Sequence, residues 1–192
     1  MSKVAIVIPL YNQEEKVIRT MASIMAQTFT DFECVIVDDG STDGSADIVQ
    51  SYIADDPRFK YAWKENGGVA TARNVGVFLH TTSPYVLCVD SDDQIEPGYI
   101  ASLLPYLIED RSLGIVYTKL IQITDDGGYT ESAWPHDFDA RLMFESHNLV
   151  PTAALSTRKM WVALGGQRKR FHGPGGAGAE DGDFWLRACS LL

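Results

Sequence analysis

Between Lys3 and Ile108 the chain alternates four times between a short apolar run and a stretch whose apolar residues recur at helical spacing. The runs are 3–10 (KVAIVIPL), 32–37 (FECVIV), the weaker 59–63, and 85–89. The run 85–89 is continuous and bounded by polar residues, and an apolar run of that length reads as a strand covered on both faces. The intervening stripes are Val17, Ile18, Met21, Ile24 and Met25; then Ile48, Val49, Tyr52 and Ile53; then Val69, Ala72, Val75, Gly76 and Leu79. A fourth stripe, Ile100, Leu103, Leu104, Leu107 and Ile108, follows Pro97. Strict alternation implies parallel strands joined by right-handed crossovers, a Rossmann-like α/β half. The loops after the strands then emerge on one edge, where such sheets bind ligands. Residues 9–12, 38–43, 66–68 and 90–93 become neighbours in space.

The local signals sharpen this outline. Asn12 followed by Glu15 has the form of a helix start. Gly67 and Gly68 fall at the N-terminus of the third helix. Beyond Gly114 the pattern changes: 115–123 (IVYTKLIQI) reads as another strand, and 125–128 as a hairpin turn running into 129–132. A short helix is expected at 139–145, and a longer one at 157–164 with Gly165 and Gly166 as its stop. Residues 167–179 are rich in glycine and base, including Arg168, Lys169, Arg170 and His172, and read as a loop. Glu180, Asp181 and Asp183 open a last helical segment in which Phe184, Trp185 and Ala188 share a face, and acids in a first turn suit the helix dipole. No repeat or linker divides the chain, so it is expected to be one domain, 1–192. Its end falls about two turns into that segment, leaving Trp185, Leu191 and Leu192 short of partners, which points to truncation of a longer protein.

Charge and composition exclude some functions. With 16 basic and 26 acidic residues the formal net charge is -10. Broad nucleic-acid binding needs a positive field, so none is expected. No apolar stretch approaches the roughly 18 residues of a membrane span, and Pro9, Asn12, Glu14 and Glu15 interrupt any secretory signal. A cytoplasmic location is the expectation. Cys34, Cys88 and Cys189 are far apart and embedded in apolar patterns, which reads as reduced packing residues.

The fourth strand ends abruptly in Asp90, Ser91, Asp92 and Asp93. Several acids at a strand end repel one another, and a hard divalent cation would compensate them through oxygen ligands. A solvated turn uses the same residue types. In an extended chain residues two apart project to one side, so Asp90 and Asp92 can converge.

Taken in order, VAIVIPLYN, FECVIVDDGSTDGS, ENGGVATARNVG, YVLCVDSDD and AEDGDFWLRA resemble the family 2 glycosyltransferases, and the resemblance runs from residue 4 to 187. It implies the GT-A fold: a Rossmann-like, mostly parallel central sheet flanked by helices, with a mixed acceptor-side C-terminal part. It divides the domain into a nucleotide-sugar-binding half, 1–113, and an acceptor and catalytic-base half, 114–192. By resemblance Pro9 and Tyr11 lie beside the nucleotide base and Asp39 accepts a hydrogen bond from it, which would suit a ring with an N–H such as uracil; Asp38, next to Asp39, is a further candidate for the nucleotide site. Gly67 and Gly68 permit close backbone approach, and Arg73 faces the nucleotide. Thr42 and Asp43 are local capping residues. The motif is no phosphate-cradling P-loop, because the Lys-Ser/Thr pair is missing.

Asp90, Ser91 and Asp92 match the family's DXD motif. It implies Mn²⁺ or Mg²⁺ on Asp92, with Asp90 on metal or ribose, Ser91 alongside, and Asp93 bonding backbone or near the donor sugar. Glu180 and Asp181 match the ED motif, which implies Asp181 as general base with Glu180 beside it. One base suffices for inversion, because a metal-bound diphosphate leaves without protonation. The implied enzyme is an inverting, metal-dependent hexosyltransferase taking a UDP-sugar to a glycan or lipid-linked acceptor. The QxxRW motif of processive relatives is absent, and Gln167 to Phe171 only echoes it loosely. Processive synthesis is therefore unsupported, and peripheral membrane association would have to come from the missing C-terminal region. Two other readings use the same residues. A nucleotide-sensing regulatory domain resembling a response-regulator receiver would use Asp38 and Asp39 but leaves the DSD and ED motifs without a role. A catalytically inactive GT-A-like binding module would keep every motif.

Overall fold

Every residue of β1 (Val4–Leu10) is buried, because this strand lies inside a six-stranded sheet with helices on both faces. The computed structural model describes residues 2–123, 128–131, 150–169 and 180–190. β1 is followed by α1 (Val17–Met25), β2 (Phe32–Asp38), α2 (Ser45–Ile53), β3 (Phe59–Trp63) and α3 (Val69–Val75). α3 runs on into a wider π-helical turn, Gly76–His80, and then come β4 (Tyr85–Cys88) and α4 (Tyr99–Glu109). The order across the sheet begins β3-β2-β1-β4, all parallel, as the alternation requires. Val4 pairs with both Phe32 and Tyr85, and Leu10 with Asp38. The ladder continues past the strand ends: Asp39 donates its N–H to Leu10 O at 2.8 Å and Val89 to Val7 O at 3.0 Å. Asp39 and Asp90 thus leave the sheet at one edge.

Alternation along β1 divides two cores. On one face Ile6, Ile8 and Leu10 pack with Val17, Met21 and Ile24 of α1, Val49 of α2, and Ile100 and Leu103 of α4. On the other, Val7, Val35 and Val37 pack with Ala72, Val77, Met160, Trp161, Phe184 and Trp185. Trp185, expected to be short of partners at the chain end, is instead buried in this core against Phe184. At Gly76 a β-carbon would lie 2.4 Å from Val7 Cγ1, so glycine there lets the helix sit directly on β1. Cys34 and Cys88 are buried free thiols and Cys189 is a partly buried one. Burial pushes the Cys88 thiol up to about 12, in keeping with a packing role.

The remaining elements are β5 (Ile115–Val116), β6 (Ile121–Ile123), β7 (Tyr129–Glu131), β8 (Leu155–Thr157), α5 (Arg158–Leu164) and α6 (Glu180–Cys189). They correct two expectations, and Asn12 near the start of the chain corrects a third. The single strand 115–123 is two: β5 pairs antiparallel with β8 in the main sheet, whereas β6 pairs with β7 in a separate hairpin. One apolar run serves two sheets. β8, read as helix at its last residue, lies antiparallel between β4 and β5. Three residues are too few to show alternation, and Thr157 then caps α5 by accepting the Met160 N–H. Asn12 does not start α1. It has φ 51 and is tied to the loop after β2, accepting the Thr42 N–H at 2.8 Å while donating its own to Ser41 Oγ at 3.1 Å. Asn tolerates that left-handed conformation better than most residues. α5 does end at Gly165 in the left-handed conformation. The expected helix 139–145, most of the turn 125–128, and Arg170 and His172 lie outside the described residues. Among those described, no helix is long and apolar enough to cross a membrane.

Candidate active site

Where β1, β2 and β4 end, an open pocket of about 370 Å³ is lined by Pro9, Tyr11, Asp39, Gly68, Asp90 and Ser91. Leu10, Gln13, Asn66 and Val69 complete its wall. The loops predicted to be neighbours therefore meet. Tyr11 is 49% exposed, which leaves its ring free to stack on a flat ligand.

Asp39 is buried, and its carboxylate is built into the loop before α3. Oδ1 accepts the Gly67 N–H at 2.9 Å and pairs with Lys64, while Oδ2 accepts the Gly68 N–H at 2.7 Å. Gly68 has φ 91, a conformation that favours glycine and that sets these successive N–H groups toward one carboxylate. A carboxylate offers about four acceptor positions, so among the described residues one on Oδ2 remains for a ligand. Asp38 is different. Its Oδ1 accepts the Ser41 N–H at 2.8 Å and its Oδ2 the Tyr61 hydroxyl at 2.5 Å, and it does not line the pocket. Burial first, and the hydrogen bond to Asp38 second, push the Tyr61 hydroxyl upward and keep it a donor. Asp43 is a capping residue, accepting the Ser45 N–H at 3.0 Å and the Glu14 N–H at 3.3 Å. The Thr42 N–H serves the Asn12 side chain.

Behind the pocket stands Arg73, only 3% exposed. Its Nη2 donates to Asp90 Oδ1 at 2.5 Å and its Nη1 to Asp181 Oδ1 at 2.7 Å. Arg73 is therefore not on the pocket wall that the resemblance implies but between the acid ending β4 and the acid opening α6. Burial alone would lower its pKa; Asp181 and Asp90 raise it, and the guanidinium stays charged. Asp181 is itself buried and accepts three hydrogen bonds. Oδ1 takes Arg73 and the Gln167 Nε2 at 2.6 Å, and Oδ2 takes the Thr152 hydroxyl at 2.6 Å. Glu180 begins the same helix and is half-buried. Asp183, deeper in that first turn, is an anchor held by Arg187 at 2.8 Å and by exposed Arg168 at 3.3 Å. Thr152 carries no motif, and the sequence signals for Gln167 are the glycine pair before it and the loose QxxRW echo that it opens.

Asp92 is exposed and 3.4 Å from the Lys16 ammonium, a surface pair of little energetic weight. Asp93 donates its main-chain N–H to Asp90 O at 3.0 Å, closing a tight turn. Its carboxyl is exposed by area but set in dense surroundings: loss of solvent, then the charges of Asp90 and Asp92, push it up to about 6. Asp90 uses Oδ1 for Arg73 and Asp92 uses Oδ2 for Lys16, leaving one oxygen of each without a hydrogen bond among the described residues. No group of three or more His, Cys, Asp or Glu side chains among the described residues is arranged to hold a metal ion. Asp90 and Asp92 lie in a tight turn, not in the extended chain from which their convergence was expected; their carboxylate oxygens are still hard donors of the type Mg²⁺-like ions take together with water and phosphate, so the donor chemistry suits such an ion.

The sequence matches the model of glycosyl transferase family 2 over residues 5–162. It is 37% identical to the chondroitin synthase of Escherichia coli over 184 residues, 96% of this chain and 26% of that protein. The fold is that of TarS 1-349 from S. aureus, solved in complex with UDP-GlcNAc, with a TM-score of 0.75 at 23% identity over 97% of this chain and 53% of that one. It is also that of the mannosyltransferase PcManGT from Pyrobaculum calidifontis, in complex with GDP-Man and Mn²⁺, with a TM-score of 0.74 at 22% identity over 98% of this chain and 52% of that one. The chain spans about a quarter of the length of the chondroitin synthase and about half of each solved chain.

Proposed function

The chain belongs to glycosyl transferase family 2 and has the GT-A fold, and from that premise we propose that it moves a sugar, with inversion, from a uridine diphosphate donor to a hydroxyl of a glycan or lipid-linked acceptor. One observation carries the reading. A single buried guanidinium holds the strand-end acid Asp90 and the helix-start acid Asp181 side by side, next to a pocket with an exposed aromatic face and a buried acceptor. Leaving group and base then have adjacent seats.

In this mechanism Tyr11 stacks on the nucleotide base, and the remaining acceptor position of Asp39 takes a ring N–H. That pairing suits uracil, which has an N–H on its recognition edge. Asp92 and the second oxygen of Asp90 would hold Mn²⁺ or Mg²⁺. When bound, the ion offsets the charge that develops on a departing diphosphate. Asp181 takes the acceptor's proton on Oδ2 as the acceptor oxygen bonds to the anomeric carbon and the bond from that carbon to the diphosphate oxygen breaks. Arg73, bonded to both Asp181 and Asp90, holds Asp181 fixed beside the donor. The nucleotide sugars bound in the two solved structures, and the Mn²⁺ in one, support a nucleotide-diphosphate donor and a divalent ion. The chondroitin synthase supports a glycan acceptor.

The test is calorimetry with UDP-, GDP-, CDP- and ADP-sugars, with and without Mn²⁺, followed by product analysis. Metal-dependent binding of a UDP-sugar and an inverted product are expected. Equal binding of all four without metal, or binding of none, would contradict the proposal.

A further inference from the structure

We infer that Gln167 is a positioning residue for Asp181: its amide occupies one carboxylate oxygen and so confines proton acceptance to the other. The inference rests on the reading of Asp181 as general base. Gln167 is 5% exposed and lies between Arg73 and Asp181. Its Oε1 accepts from Arg73 Nη1 at 3.2 Å and its Nε2 donates to Asp181 Oδ1 at 2.6 Å. No other orientation of the amide works, because a guanidinium has only donors and an ionised carboxylate only acceptors.

The backbone around Gln167 is clamped as firmly as its side chain. Its N–H donates to Asn74 Oδ1 at 2.8 Å, and its carbonyl accepts from Asn74 Nδ2 at 2.7 Å. Asn74 follows Arg73 on α3, so this two-point pair fixes Gln167 relative to the same guanidinium that its side chain meets. From the other side Arg187 donates to Leu164 O at 2.8 Å and to Gly166 O at 2.9 Å. Gly166 has φ 80, and a β-carbon there would fall 2.4 Å from Asn74 Oδ1, so the chain reaches this place only through glycine.

The consequence is a count of lone pairs. Each carboxylate oxygen offers about two acceptor positions. On Oδ1 of Asp181 both are taken, by Arg73 and Gln167; on Oδ2 Thr152 takes one. Among the described residues, the single position left is on Oδ2. A base must present a free lone pair along the path of the proton it removes, and the described residues leave one such direction. Without the Gln167 N–H, Oδ1 regains a free position and the carboxylate loses a charge-assisted bond that holds its plane.

The experiment compares wild type, D181N, Q167L and Q167E for transfer at saturating donor and acceptor, for donor binding by calorimetry, and for Tm. Q167E keeps the length of the side chain and an acceptor toward Arg73 but has no N–H for Asp181. It also keeps the test alive should Q167L fail to fold. For both variants kcat is expected to fall about tenfold or more while donor Kd stays within about twofold, the signature of a contact made at the reacting end only. Unchanged kcat in either variant would overturn the inference, as would kcat and donor affinity falling by the same factor together with Tm. A wild type that transfers while D181N does not, beside a fully active Q167L, would sink this inference alone. A wild type that transfers nothing, or an active D181N, would remove the proposed function and this inference with it.

Discussion

Asp39 and Asp181 are both buried carboxylates, each with three donors among the described residues, yet they are built in opposite ways. Asp39 is held by the N–H groups of Gly67 and Gly68 and by Lys64, all within one loop after β3. Asp181 is held by Arg73, Thr152 and Gln167, three side chains on three separate parts of the chain. The first is a feature of local backbone conformation beside an open pocket. The second is a tertiary assembly behind it, in which each member depends on the others. Damage to the first should cost ligand affinity, and damage to the second should cost the fold and the chemistry together.

R73M is the harshest way to test that contrast. It strands two acids on one buried site, and breaking such a pair costs about 3–5 kcal/mol. Denaturant unfolding should show the loss, and transfer should be undetectable. A stable R73M would mean that the two acids do not need their shared cation. D39A comes next: it leaves two loop N–H groups without their acceptor, for about 1–3 kcal/mol of stability. It should also weaken donor binding roughly tenfold or more, equivalent to about 1.4 kcal/mol, while kcat at saturation changes less. An Asp39 variant that lost kcat but kept donor affinity would erase the distinction between the regions. Y11A should have the smallest effect. Because Tyr11 is half exposed, Tm should not move, and lost stacking of about 0.5–1.5 kcal/mol should weaken the donor severalfold by calorimetry. Unchanged affinity would take the aromatic face out of the pocket's function.

The same contrast governs what the sequence makes legible. Pro9, Tyr11, Asp39, Gly68 and Asp90 follow strands that announce themselves by apolar runs, and parallel topology alone brings their loops together. Asp181 is legible as an acid opening a helix, and as the ED motif, but its setting is not. Gln167 matters because two left-handed glycines deliver it to Asn74, and no periodicity records that meeting. Arg73 is marked by the motif, but its partners are 17 and 108 residues away, so its place between two acids emerges only from the folded chain. The misread elements have the same origin. β8 is a strand because β4 and β5 flank it, and Asn12 is a loop staple because Ser41 and Thr42 reach it.

The central claim is that Asp181, fixed beside Asp90 by Arg73, is the base for transfer. The direct measurement is D181N against wild type, with donor affinity by calorimetry and product by mass analysis in the presence of Mn²⁺ and a UDP-sugar. Asparagine keeps the shape of the side chain but cannot accept the proton. D181N is expected to bind the donor within about twofold of wild type and to lose transfer by about a hundredfold or more, the lower end of what a positioned base contributes. Transfer by D181N at the wild-type rate would contradict the account.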